Sequence, residues 1–291
     1  MPATILSHQA LVLPLKMRWP HRFSGLALCI GSMAPDLEFI GRMSHDWLFS
    51  HTLSAQLWFT VPLTMALVWV LTTILLPVLV PYLRDHPEWR LHDLLALRAP
   101  VTWRDWASVA CSAWIGGVSH VVLDGITHGN HSGWLVPWLP VLRTPVPHFG
   151  GDVPLHDALQ CWLTIGFALL SVRWWRHIAR KRLLWTWRGA SVVSPPRQCR
   201  RVAHRLLVLV ALAATAGATI GGLLMAEGHG KAAAAAIAFG ALDVTFVALM
   251  ISASWLARQR VDGRMDTDHH AGGAVCPALA APVVSPSPII G

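Results

Sequence analysis

The sequence predicts an all-α protein, a polytopic transmembrane helical bundle that opens with a short N-terminal helical hairpin. Three observations predict it. Of 291 residues, 54% are hydrophobic and only 13% are charged, against about 25% charged in an ordinary soluble domain. Mean hydropathy is +0.49, which excludes a disordered chain and argues against a water-soluble globule. The apolar residues come in blocks close to the ~20 residues that a spanning helix needs. Trp is abundant at 16 while Tyr occurs once, and Trp favours the bilayer interface.

The elements follow in order. Ile5 to Leu15 and Phe23 to Met33 are each too short to span. Between them lies a basic turn from Lys16 to Arg22, so the pair reads as a helical hairpin. Lipid tolerates such short elements at membrane depth only when other helices cover them. Leu53 to Tyr82 carries no charge, and Pro62, Pro77 and Pro81 are expected to kink or end it. Ala107 to Thr127 is apolar except for His120 and Asp124. Ala158 to Trp175 is a third spanning block, and Leu206 to Ala226 a fourth, with Gly217 and Gly221 spaced for close helix approach. Ala232 to Ala257 is clean except for Asp243. From Val261 the chain is rich in Ala, Pro, Gly and Ser without period, and reads as a disordered tail. The expected organisation is a helical membrane core over residues 1–180, a basic cytoplasmic loop over 181–205, two added transmembrane helices over 206–260, and the tail over 261–291.

Orientation follows from Lys and Arg. The stretch Arg173 to Arg205 has ten basic residues and no acid, so the positive-inside rule makes it cytoplasmic. Counting outward, 16–22 and 83–106 fall inside, while 36–52 and 128–157 fall outside. Every basic cluster then lands on one side, and the C-terminus is cytoplasmic. The net charge of +8 is accounted for by these loops and not by nucleic-acid binding. No basic start with a small-residue cleavage pattern marks a signal peptide. Five cysteines, an odd count without CxxC, argue against a disulfide framework or a thiolate zinc site.

Ionisable residues inside apolar blocks are costly and raise functional hypotheses. Here they gather at the helix ends assigned to the outside. Asp36 follows Pro35, His51 opens the long helix, and His8 starts the first short one. His120 and Asp124 stand at i and i+4 on one helical face, which His128 continues. Imidazole and carboxylate suit zinc. Asp36, His51, His120 and Asp124 make a set for a first ion, and His8, with Asp124 bridging, for a second. His128, His148, Asp152 and His156 are candidates for a third ion or a substrate. By spacing alone, His120 and Asp124 fit a self-satisfying buried pair as well as a metal site. Asp36 can equally be a turn cap. Convergence of six such residues on one level favours a site.

The segments TILSHQALVLPL, GSMAPDLEF, FSHTL, GGVSHVVLDGITH, GWLVPWLPVL and VPLHDALQ resemble a bacterial family of multi-pass membrane proteins known as domain of unknown function 4184. The resemblance covers roughly residues 1–180. That family is similar to inner-membrane metal-dependent hydrolases and, more remotely, to zinc-dependent phospholipase C and the single-strand-specific zinc nucleases. The resemblance implies a bacterial inner-membrane protein with a divalent metal, zinc, held by His8, Asp36, His51, His120 and Asp124. His128 matches a further ligand, with a shorter spacing after Asp124. The His-x-x-x-Glu of a third metal in the soluble enzymes has only His148/Asp152 or Asp152/His156 as counterparts. The implied chemistry is hydrolysis of a phosphoester such as a lipid, with Asp36 or Asp124 as the catalytic carboxylate that takes a proton from water. The expected partners are the lipid bilayer and such a substrate, not nucleic acid. The alternative is a non-enzymatic scaffold or transporter whose His/Asp cluster is structural or proton-binding.

Overall fold

A computed structural model describes residues 7–38, 49–83, 85–129, 131–148 and 151–192, together with residue 212. The two apolar blocks expected within 206–260, the tail over 261–291, and His45 and Asp46 lie outside the described residues.

Among those described, the chain is mostly helical. Helix α1 (Gln9–Arg18) ends where the Trp19 N–H donates to the Leu15 carbonyl at 2.9 Å. The Lys16 ammonium closes the basic turn, donating to the carbonyls of Phe23 at 2.8 Å and of Pro20. Helix α2 (Gly25–Gly31) is capped by Ser24, whose hydroxyl accepts from the Ala27 N–H, as an N-cap serine does. A single 3-10 turn, Ala34–Asp36, follows. The two short segments of the sequence reading are therefore helical, each shorter than a membrane is thick.

Among the described residues, three helices are long and apolar enough to cross a membrane. They are α3 (Gln56–Leu79), α4 (Trp103–Thr127) and α5 (Leu155–Arg180). Pro62 and Pro77 do not end α3 but follow widened turns, and Pro81 lies in the 3-10 turn Val80–Tyr82 after it. The α3 turns at Gln56–Thr60 and Leu71–Leu75 are π-helical, one just before Pro62 and one just before Pro77. A proline ring clashes with the carbonyl four residues back and donates no bond to it, and a wider turn relieves both problems. Helix α4 starts at a reciprocal cap. Thr102 accepts from the Asp105 N–H, and Asp105 accepts from the Thr102 N–H, satisfying two otherwise unpaired donors.

Helix α4 is the centre of the molecule. Half of its apolar window is buried, against 17% for α5. Ala27, Ile30, Val68 and Val109 form a core where α2, α3 and α4 meet, with Met65 and Trp106 packed on it. Glycine permits this closeness. A Cβ on Gly116 would stand 2.6 Å from the Leu28 carbonyl oxygen and 2.7 Å from the Ser32 nitrogen, both backbone atoms of the α2 region.

The expectation of an all-α protein misses one element. Strands β1 (Pro145–His148) and β2 (Gly151–Pro154) pair antiparallel, with Val146 opposite Val153. Pro145, Pro147 and Pro154 deny this stretch a helix. At the other end of the bundle, α6 (Leu183–Arg188) lies within the segment read as a basic loop. There Asp93 accepts from Trp185 Nε1 at 3.0 Å and pairs with Arg182 at 3.4 Å. Glu88 pairs with Arg176 and with Arg180.

Two predictions test this packing. Gly116→Ala should cost about 1–3 kcal/mol by overpacking and lower the thermal midpoint in detergent. Gly166→Ala, where a Cβ meets nothing within 4 Å, should be neutral or stabilising by up to about 1 kcal/mol. Equal losses would refute the close approach of α2 and α4. Separately, the hydrogen bond from Arg176 and the charges of Arg176 and Arg180 hold the Glu88 carboxyl below its ordinary value. Its small contribution is thus present above the unfolded pKa of about 4.3 and lost as pH falls through the lowered folded value. Glu88→Gln should remove that acid dependence, and added salt should weaken it, as read by thermal melts at several pH values.

Candidate metal centre

Four of the six candidate residues meet. Asp36 comes from the 3-10 turn after α2, His51 from the 3-10 turn Phe49–His51, and His120 and Asp124 from successive turns of α4. All four are buried, and one donor atom from each lies within 4.8 Å of the others. Five of the six separations are narrower still. His51 Nε2 is 3.6 Å from Asp36 Oδ1 and 3.4 Å from Asp124 Oδ2. His120 Nε2 is 3.5 Å from Asp36 Oδ1 and 3.2 Å from Asp124 Oδ2. The two Nε2 atoms are 3.3 Å apart. Zinc with N and O donors at about 2.0–2.1 Å in a tetrahedron requires donor-to-donor edges of about 3.3–3.4 Å. These side chains surround a point where a divalent cation fits.

The far side of each ring is fixed. His120 Nδ1–H donates to the Ser32 carbonyl at 2.9 Å. His51 Nδ1–H donates to Ser50 Oγ at 3.1 Å, and that hydroxyl donates to the Pro35 carbonyl at 2.8 Å. In the neutral imidazole the proton on Nδ1 leaves the Nε2 lone pair directed inward, the orientation that outer partners impose on metal-binding histidines. Gln56 secures the strand of chain that carries His51. Its amide donates to the carbonyls of Ser50 at 2.6 Å and Thr52 at 2.8 Å, and its oxygen accepts from the Thr60 hydroxyl at 2.8 Å. Gly117 of α4 sits directly against that amide, where any side chain would push α3 away.

The electrostatics agree. With neutral imidazoles the four donors carry two negative charges in a buried place. A dication cancels them. Without one, protons must, because uncompensated buried charge is costly. Burial works against a charge on His51, yet its hydrogen bonds with Asp124 and Asp36 outweigh this and raise its pKa above the ordinary value. Burial likewise opposes a charged Asp36, and His120 and His51 overcome that and lower its pKa.

His8 and His128 stand beside the four donors and do not complete them. They face the other oxygen of Asp124, with His8 Nε2 at 3.8 Å and His128 Nδ1 at 3.7 Å from Oδ1. The His8 ring stacks on that of His120 with centroids 4.1 Å apart. Burial pushes the His8 pKa down to about 3, so this ring is neutral. His148 and Asp152 lie on the β-ribbon. His156 pairs with Asp157 at 3.1 Å and packs over Gly129. None of the three belongs to the four-donor group.

The sequence reading did not single out Ser50, Gln56 or Gln160. Ser50 adjoins His51, which was a usable signal. Gln56 and Gln160 had none beyond being polar in apolar blocks. Gln160 of α5 reaches His128 Nε2 at 2.8 Å.

Ser50→Ala should weaken divalent-metal affinity about 10–100-fold, the usual effect of losing an outer hydrogen-bond partner. Competition against a chromophoric chelator reads this out. Unchanged affinity would show that the Ser50 relay does not orient His51.

A family model, Domain of unknown function (DUF4184), matches residues 1–257. No curated protein and no solved structure matches the chain. The chain belongs to the DUF4184 family.

Proposed function

We propose that this member of the DUF4184 family is a membrane-embedded, zinc-dependent hydrolase of the bacterial inner membrane, acting on a phosphoester such as that of a lipid. One observation carries the reading: two imidazoles and two carboxylates, buried at one end of a spanning helix, keep five of their donor separations between 3.2 and 3.6 Å. Direct hydrogen bonds in a self-contained lock would close most of these to about 2.7–3.0 Å. Separations at the edge length of a zinc tetrahedron support an ion between them.

The basic stretch Arg173 to Arg205 supports placing the opposite end of the bundle in the cytoplasm, with the His/Asp centre near the outer face. When bound, zinc would polarise a phosphoryl oxygen and lower the pKa of water. The chain supplies the remaining tasks. His51 and His120, each fixed through Nδ1, hold their positions during the reaction, as does Asp124 on α4. Asp36 is the most exposed of the four side chains, at 11% against 7% or less, and stands on a short 3-10 turn. It is therefore the carboxylate that would swing aside, leaving three donors and an open position, and take a proton from the attacking water. In the hydrolysis, the water oxygen bonds to phosphorus while the ester P–O bond breaks. The electron pair goes to the leaving oxygen, which takes up a proton.

Elemental analysis of protein purified without chelator should find stoichiometric divalent metal, and His120→Ala should abolish it. Asp36→Asn should cut phosphodiester turnover by about 10²–10⁴-fold, the usual worth of a general base, with monodisperse elution retained. Metal-free wild-type protein would remove the proposal. Full metal with no turnover on any phosphodiester lipid would leave the centre and remove the reaction.

A further inference from the structure

The loop after α4 carries a run of side chains that the bundle leaves uncovered. Pro137, Trp138, Leu139, Pro140 and Val141 are all apolar and all exposed, Trp138 to 79% and Val141 to 58%. Their neighbours Val136 and Leu142 are buried, so the segment is seated on the bundle at both ends. Single exposed apolar residues need no explanation, but a contiguous run marks a surface that meets something apolar. No Lys, Arg, Asp or Glu occurs from 125 to 142.

Two features fit this run to a lipid surface. The first is its level. Helix α4 has 25 residues, about 37 Å at 1.5 Å per residue, so it outlasts a hydrocarbon core of about 30 Å by only a few Å at each end. The loop turns back along that end. Trp134 Nε1 donates to the Val121 carbonyl at 3.2 Å, about 9 Å inside the end of the helix at Thr127. The Leu135 N–H donates to the Gly125 carbonyl at 3.0 Å. Gly125 makes room for the indole, since a Cβ there would stand 2.7 Å from Trp134 Nε1. The second feature is the backbone. Lipid offers no hydrogen bonds, so backbone polar groups within it must be satisfied by the protein. The N–H groups of Val136, Trp138, Leu139 and Leu142 all donate to carbonyls of the loop itself, and Pro137 and Pro140 have none to satisfy.

We propose that residues 137–141 form an interfacial wedge, inserted into the bilayer leaflet on the metal-centre side and fastened through Trp134 to the turn of α4 that carries Asp124. Trp138 brings an indole, which favours the headgroup level. The two hydrogen bonds that hold the loop, at Val121 and Gly125, lie on either side of Asp124 in the chain. A protein partner for this run would have to reach it at headgroup depth, where the leaflet already lies. The wedge goes beyond the hydrolase reading and does not rest on it, since none of its residues is among the four donors.

The test measures depth and needs no activity. A dansyl amino acid is placed at position 138 of the full chain, in bilayer discs of phosphatidylcholine. The discs carry a spin-labelled lipid whose quenching group sits either near the headgroup or near the end of the acyl chain. At position 138 the shallow quencher should reduce emission several-fold more than the deep one. The same label at position 169, a residue 67% exposed on α5, should respond to the deep quencher. At position 152, exposed on the β-ribbon, it should respond to neither. Emission at 138 that neither lipid quenches, because water, a second copy or another protein surrounds the label, overturns the wedge. These three labels decide the insertion whatever further variants do. Gly125→Ala, whose added carbon meets the indole, and Trp134→Ala, which removes it, should each lower quenching at 138 several-fold and leave position 169 unchanged. Quenching at 138 that both variants leave intact overturns the fastening to α4.

Discussion

Two carboxylates inside a helical bundle with apolar walls have to be neutralised, and the rest of the structure is organised around doing so. Asp36 and Asp124 are both buried, and each faces the same two imidazole nitrogens. In an environment of low dielectric, an unpaired carboxylate is among the most destabilising features a fold can carry. The arrangement survives only if positive charge sits between the acids, as an ion or as protons on the rings. Removing a single member leaves the others uncompensated, which costs more than the interaction itself contributes.

Holding these groups together takes backbone from three separate elements, and each solves a different problem. Helix α4 supplies two donors at once through its i, i+4 spacing. Asp36 and the Ser32 carbonyl reach α4 because Gly116 lets the α2 region touch its backbone. His51 depends on α3, whose first turn is widened ahead of Pro62. That wider turn carries Gln56, and the Gln56 amide grips the carbonyls on either side of His51. Pro62, Gly116 and Gly117 thus act on the centre without touching it, through the distances they permit between helices.

The parts legible in the sequence are those governed by local pattern. The three helices long enough to cross a membrane follow from apolar blocks, and the α4 pair from its spacing. The grouping of Asp36 and His51 with that pair follows from topology, since a count of spans puts all three segments at one end. What stayed hidden depends on contact between distant residues. Gln160 touches His128 across 32 positions, and no pattern in α5 marks it. The β-ribbon was missed because Pro145, Pro147 and Pro154 announce a break in helix but not the pairing of Val146 with Val153. His8 and His128 are a different case. Residue type and level place them near an ion, but not which oxygen of Asp124 they meet.

That oxygen decides how the centre is read. Asp124 directs Oδ2 to His51 and His120, and Oδ1 to His8 and His128. A carboxylate shared in this way divides the polar layer into two compartments. One is sealed, with ring nitrogens committed to backbone or serine oxygens on their outer sides. The other keeps His8 Nδ1 buried with no hydrogen-bond partner among the described residues. A purely structural lock has no use for the second compartment, because an orphaned buried nitrogen reduces the stability that a lock exists to supply. The two faces of one carboxylate thus join the set of four donors to the second polar layer of His8 and His128.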